Sequence, residues 1–192
     1  MHDRIVHLMR GIVELEQGLQ QELEQKQEEF RYHFEKRRIL FEQEMVESQR
    51  KLKVSVLQRL RKTKIRIILS IPVIYGLLLP LLLVDLSVWL YQWICFSLWG
   101  ISTVRRREYW LMDREQLAYL NFVEKLNCLY CGYANGLASY IREVASRTEQ
   151  YWCPIKHAHK IRQPHPRYWH FSDYGDAPAY RKNLQQYRAD LR

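Results

Sequence analysis

The first 64 residues contain no proline and only two glycines, Gly11 and Gly18. These are the two residue types that most often end helices and form turns, so their scarcity argues against turns in this segment. Glu, Gln, Lys, Arg and Leu dominate instead, and all five favour helix. The sequence therefore predicts one long helix that leads up to the apolar stretch starting at Ile65.

Apolar residues recur at intervals of eleven along this predicted helix. Eleven residues in three turns is about 3.67 residues per turn, so such a stripe stays on one face. A narrow stripe must pack on another surface, and the mixed charges of residues 14–47 favour a second copy over lipid. We expect a cytoplasmic coiled-coil arm over residues 1–64, with homo-oligomer contacts through residues 8–60. The two series are Leu8, Leu19, Phe30, Phe41 and Leu52, and Ile12, Leu23, Phe34, Met45 and Val56.

Charge is nearly absent between Ile65 and Ser102, where Asp85 is the single acidic residue and Arg66 the single basic one. This stretch has about 38 residues, nearly twice the roughly 20 that cross a bilayer. Asp85 lies near its middle and divides it into arms of residues 65–84 and 86–103. We expect a transmembrane or re-entrant helical hairpin over residues 65–103, with Asp85 at the tip in water or headgroups.

Basic residues flank the apolar stretch on both sides. Eight precede it, and Arg105, Arg106 and Arg107 follow it; the eight are Arg50, Lys51, Lys53, Arg59, Arg61, Lys62, Lys64 and Arg66. Because Lys and Arg next to membrane segments stay on the cytoplasmic side, both termini are expected to be cytoplasmic. The chain carries 30 basic and 21 acidic residues, a net charge of +9. These eleven residues account for the excess, so nucleic acid is not an expected partner.

Cysteine is also scarce, with four in the chain. Three of them, together with a histidine, form the pattern C-x2-C followed later by C-x3-H, which is typical of structural zinc sites. Predicted antiparallel helices at residues 113–127 and 134–152 would bring the two halves of the pattern together. The expected zinc ligands are Cys128, Cys131, Cys153 and His157, with His159 as an alternative fourth ligand. Zinc would then stabilise a C-terminal segment of about 85 residues that can build only a small core.

Other interpretations of these residues stay open. The same ligands suit iron or an iron–sulfur cluster, Cys128 and Cys131 could act as a redox dithiol, and all could be ordinary reduced thiols. His159, His165 and His170 with Asp173 and Asp176 could form a catalytic metal centre, or belong to a basic aromatic loop. The metalloprotease, nucleophile-elbow, P-loop and dinucleotide motifs are absent, so no catalytic residue is predicted.

The strings NCLYCGYANG, REVASRTEQYWCPIKHAHK and QPHPRYWHFSDYGDA lie within the last 75 residues. Through them, residues 127–177 resemble a group of small bacterial membrane proteins of unassigned function. The resemblance implies a bacterial inner membrane and adds nothing about mechanism.

Together these observations predict an all-α membrane protein with three parts. They are a coiled-coil arm over residues 1–64, a membrane hairpin over residues 65–103 and a small cytoplasmic helical metal-binding domain over residues 104–192. The expected function is that of a membrane-anchored scaffold and not that of an enzyme. Its expected partners are the bilayer, a second copy of the chain and a possible protein partner. The alternative is a membrane-bound iron or redox protein acting in electron transfer or metal-dependent catalysis.

Overall fold

The computed structural model describes residues 2–30, 32–35 and 38–192. They form two compact units. The first contains the described residues up to 62 together with residues 113–126, and the second contains residues 63–112 together with residues 127–192. Residues 113–126 therefore belong to the first unit, although the sequence groups them with the C-terminal segment.

The first unit begins with helix α1 (His2–Glu29), strands β1 (Tyr32–Glu35) and β2 (Arg38–Phe41), and helices α2 (Gln43–Lys51) and α3 (Val56–Lys62). The prediction of one uninterrupted helix is wrong, because the two strands pair as an antiparallel hairpin. Aromatic and β-branched residues concentrate in this short segment and suit a strand better than a helix. The rings of Tyr32 and Phe41 face each other across the pair, with centroids 5.6 Å apart. The eleven-residue stripe is thereby divided among different elements.

Contacts between α2, α3 and residues 113–126 complete the first unit. The amide of Asn121 donates a 3.2 Å hydrogen bond to the Val54 carbonyl, and the Ala118 N–H donates one of 3.2 Å to the Gln49 side chain. Arg59 on α3 forms an ion pair with Glu124. Polar contacts therefore join residues 113–126 to the segment that contains α2 and α3.

The second unit starts with the apolar stretch, which forms one helix from Ile65 to Trp99. Its parts are α4 (Ile65–Gly76), α5 (Leu78–Tyr91), a π turn (Gln92–Phe96) and α6 (Ser97–Trp99). Within the described part of the chain, it is the one helix long and apolar enough to cross a membrane, and none of its most apolar 18-residue window is buried. It ends at Gly100, whose φ of 68° is the left-handed conformation that commonly follows a helix.

The predicted hairpin turn at Asp85 is wrong. Asp85 lies inside α5, is only 4% exposed and pairs with Arg106. Because the carboxylate finds a partner within the protein, the chain does not have to turn there to bring it to water. The prediction that both termini are cytoplasmic rested on the basic residues at both flanks, and it stays a prediction.

The predicted pair of helices around the C-x2-C motif is also wrong. A short 3₁₀ turn (Arg114–Gln116) precedes a single helix α7 (Phe122–Trp152), which passes through the motif without a break. The glycines of NCLYCGYANG do not form a turn but allow close contacts: Gly132 lies against the carbonyl of Leu111 and Gly136 against Trp110. The last helix is α8 (Ala177–Ala189), and the Asp176 side chain caps it.

The core of the second unit lies between the apolar helix and α7, which run side by side in the same direction. Tyr75 contacts Asn127 near one end, and Trp99 stacks on Tyr151 near the other. The buried residues between them are Phe96, Ile101, Val104, Leu137, Tyr140, Val144 and Leu191. One face of the apolar helix is thus packed against protein, while the rest of its surface is apolar and exposed.

Candidate functional site

The predicted metal ligands lie at two separate places along α7. Cys128 and Cys131 are in its first third, whereas Cys153 follows its last residue. At about 1.5 Å per residue, roughly 36 Å of helix separate Cys128 from the end next to Cys153. All four cysteines are free thiols, and the described residues contain no group of three or more His, Cys, Asp or Glu side chains placed to hold a metal ion. The structure therefore does not bring the two halves of the pattern together.

The histidines lie in the loop that follows α7. The N–H of His157 donates a 2.8 Å hydrogen bond to the hydroxyl of Tyr168, and the two rings stack with centroids 6.2 Å apart. His159 is exposed, and His165 lies 2.8 Å from a carboxylate oxygen of Glu149. Partial burial and the nearby Glu149 charge raise the pKa of the Cys153 thiol, which disfavours the thiolate that metals bind.

A polar cluster on the apolar helix is the most distinctive arrangement in the second unit. Asp85 is presented by α5, Arg106 by a 3₁₀ turn (Arg106–Glu108), and Tyr133 by α7. Arg106 forms an ion pair with Asp85, and the Tyr133 hydroxyl donates a 3.0 Å hydrogen bond to the same carboxylate oxygen. Three elements that are distant in sequence are therefore joined at one carboxylate.

Aromatic rings surround this cluster. The Arg106 guanidinium lies 3.7 Å from the ring centroid of Trp110, a cation–π contact, and the Trp110 ring packs against Tyr133. Gly136 makes room for the indole, because a Cβ at this position would lie 2.3 Å from Trp110 Cδ1 and 2.6 Å from the Tyr109 carbonyl oxygen. Such distances are far inside van der Waals contact, so no larger residue fits without displacing the chain.

The electrostatics of the cluster keep the phenol protonated. Burial, followed by the hydrogen bond to Asp85 and its negative charge, raises the pKa of Tyr133 to about 12, against the opposing effect of Arg106. Asp85 Oδ1 and Arg106 Nε are buried without a hydrogen-bond partner among the described residues. Both residues also line a cavity of about 290 Å³ with Leu82, Leu86 and Trp89. The cluster is suited to fixing the register of α5: the Tyr133 hydrogen bond holds it on α7, and the ion pair holds it on the turn with Arg106. Fixing register is the best-attested use of a buried ion pair.

A second polar contact fixes the return of the chain after the apolar helix. The buried Gln92 side chain accepts a 2.9 Å hydrogen bond from the Val104 N–H and donates one of 3.2 Å to the Val104 carbonyl. Gln92 begins the π turn, a distortion often found where a helix adapts to a specific contact. Sequence reasoning missed both polar contacts; a polar residue inside an apolar run is the signal that could have indicated them.

The comparisons with known proteins add no relative. No protein-family model, curated protein or solved structure matches the chain. The resemblance to small bacterial membrane proteins therefore stays a prediction.

Proposed function

We propose that this protein is a membrane-anchored scaffold. The apolar helix Ile65–Trp99 would be its anchor, α1 would associate with a second copy, and the C-terminal unit would present a surface to other molecules. The observation that carries the proposal is the large exposed apolar surface of this helix. Leu69, Val73 and Leu79 are 71%, 75% and 66% exposed, which is unfavourable in water and favourable in lipid.

The dimensions of the apolar helix support burial in a bilayer. Its 35 residues would extend roughly 52 Å, more than the about 30 Å of a hydrocarbon core. The exposed, stacked rings of Trp89 and Trp93 suit the membrane interface. Because α7 runs beside the apolar helix from Tyr75 to Trp99, lipid would contact the other face of this helix.

The charge distribution supports an orientation. Eight basic residues precede the helix and three follow it, and residues 113–126 after the helix bond to Gln49 and Val54 before it, so both flanks are expected on the cytoplasmic side. We place the protein in a bacterial inner membrane on the resemblance alone. A reporter fused to the C-terminus that proved to lie outside the cytoplasm would contradict this orientation.

The membrane anchor is tested by extraction of membranes with alkaline carbonate. The wild type is expected to stay in the pellet. Leu69→Arg/Val73→Arg, which places two charges on the exposed surface, is expected to release a large share of the protein or prevent insertion. Gln21→Arg/Gln25→Arg on α1 adds the same charge outside the apolar helix and serves as the matched control. Release of the wild type by carbonate would contradict the anchor.

Self-association is supported by a row of exposed leucines on α1. Leu15, Leu19 and Leu23 follow one another at intervals of four, and they are 76%, 61% and 52% exposed. Residues four apart lie on the same face of a helix, and a copy of this helix offers a matching face. Cross-linking of the full chain in detergent is expected to give a dimer or higher oligomer. Leu19→Lys/Leu23→Lys should abolish it, whereas Gln21→Lys/Gln25→Lys, with the same added charge, should not.

A further inference from the structure

The loop between α7 and α8 lines a pocket, open to the surface, that the proposed scaffold function does not use. The pocket has a volume of about 850 Å³, within the range of sites for small organic ligands. Cationic and imidazole side chains line it together with Trp169 and Tyr168, and none of its lining residues is a carboxylate. The charged and titratable residues are Lys156, His157, His159, Lys160 and Arg162.

The loop is braced at several points. An isolated bridge pairs Ile155 with Ser172, and the Ser172 N–H donates a 3.0 Å hydrogen bond to the Pro154 carbonyl. Further along the loop, Gln163 adopts the left-handed conformation with φ of 51°. Its carbonyl accepts a 2.7 Å hydrogen bond from Arg142 on α7. A pocket with a fixed backbone loses less entropy when a ligand binds.

The acidic groups close to this loop already have partners. Asp173 pairs with Lys156 at 2.8 Å, and Glu149 pairs with His165 at 2.8 Å. Among the described residues, no carboxylate forms an ion pair with Lys160 or Arg162. These two side chains therefore remain available to neutralise an incoming anion.

We propose that this pocket binds a phosphate ester of a small organic group. Lys160 and Arg162 would contact the phosphate, because ammonium and guanidinium groups form strong charge-assisted hydrogen bonds to phosphate oxygens. The pocket is larger than a bare phosphate requires, and Trp169, which is 64% exposed, offers an apolar surface for the organic part. A soluble phosphate ester and a phospholipid headgroup share this chemistry.

The test uses the detergent-solubilised full chain and isothermal titration calorimetry at constant ionic strength. The probes are glycerol 3-phosphate, short-chain dihexanoyl phosphatidylglycerol and inorganic phosphate. Binding of glycerol 3-phosphate supports a soluble ester, and binding of the lipid alone supports a headgroup. Binding of inorganic phosphate with neither ester, or of no probe at all, would overturn the proposal.

The variants separate a site from general charge attraction. Lys160→Gln/Arg162→Gln is expected to weaken binding about tenfold or more, since each lost contact is charge-assisted. Arg181→Gln/Lys182→Gln in α8 removes the same charge away from the pocket and should leave the affinity within about twofold. Trp169→Ala removes a ring that is mostly exposed, so the variant should keep its fold but bind the ester more weakly. Equal losses in the two double variants would overturn the proposal.

Discussion

The hydroxyl of Tyr133 donates a 3.0 Å hydrogen bond to Asp85, the one acidic residue of the apolar helix. Arg106 pairs with the same oxygen, so a phenol from α7 and a guanidinium from the returning chain share one carboxylate. The Asp85 side chain is 6% exposed and that of Arg106 40% exposed. The carboxylate therefore depends on these partners for its solvation, whereas the arginine retains contact with the surroundings.

Removal of Arg106 alone is expected to destabilise the second unit. Arg106→Met leaves Asp85 buried without its cation, and we expect a loss of about 2–4 kcal/mol in the free energy of unfolding. Asp85→Leu/Arg106→Met removes both charges and should recover most of that loss. Chemical denaturation in detergent measures both, with Arg105→Met, whose side chain is 68% exposed, as the matched control. A double variant as unstable as Arg106→Met would show that the pair contributes through packing instead.

Substitution of the helical glycines of α7 should have a graded effect. Gly136→Ala is expected to destabilise the fold by about 1–3 kcal/mol, because its Cβ would lie 2.3 Å from the Trp110 ring and 2.6 Å from a backbone oxygen. Gly132→Ala meets a backbone oxygen at 3.3 Å and should cost clearly less. Thermal unfolding followed by circular dichroism compares the two. Equal midpoints would mean that residues 109–111 do not pack against this face of α7.

The stability of the second unit should decrease in acid through Glu143. Burial opposes ionisation of this carboxyl, but hydrogen bonds and charge from Arg147 and Arg167 outweigh burial and lower its pKa below the ordinary 4.5. The folded state therefore binds this proton more weakly than the unfolded state. The contribution of the Glu143 carboxylate to the free energy of unfolding is complete above a pH of about 4.5 and is lost as the pH falls through the lowered pKa.

Glu143→Gln tests this contribution. The variant should show a smaller drop in the unfolding midpoint between neutral pH and acid than the wild type. Arg167→Gln removes one of the two hydrogen-bond donors at 2.9 Å and should have a smaller effect of the same sign. A wild-type drop that is unchanged in Glu143→Gln would assign the acid sensitivity to other carboxyl groups.

Metal removal tests the continuity of α7. With Cys128 and Cys131 in the first third of this helix and Cys153 beyond its end, one ion cannot reach all of them in a single chain. EDTA and the variant Cys153→Ser are both expected to leave the unfolding midpoint unchanged. One zinc per chain, lost in Cys153→Ser, would instead support the four-ligand site and a break in α7 at residues 128–133. Visible absorbance with bound iron would support the redox alternative.

Local composition predicted the apolar helical segment, because a long apolar run is visible without any distant partner. The turn at Asp85 could not be excluded in this way, since the partners that keep the carboxylate inside lie 21 and 48 residues further along the chain. The glycines of the C-x2-C motif posed a second ambiguity. Glycine serves turns and close helix contacts equally well, and only the position of Trp110 distinguishes the two.

The N-terminal segment shows a different limit. Its charged residues favour helix, but Tyr32, Phe34, Ile39 and Phe41 favour strand, and the sequence alone does not say which preference wins over so short a stretch. The hairpin between them separates α1 from α2, so any self-association must use α1 as a helix of 28 residues and not a continuous arm of about 60.

The π turn at Gln92–Phe96 fits one more residue into the helix than regular α-helix would. A helix advances about 100° per residue, so if the same residues formed regular α-helix, the extra one would rotate everything downstream by about that angle. Phe96 and Trp99 would then leave the contact with α7, and the Gln92 amide would no longer meet Val104 in the same register. This one wide turn therefore sets how the anchor helix is phased against the folded unit that follows it.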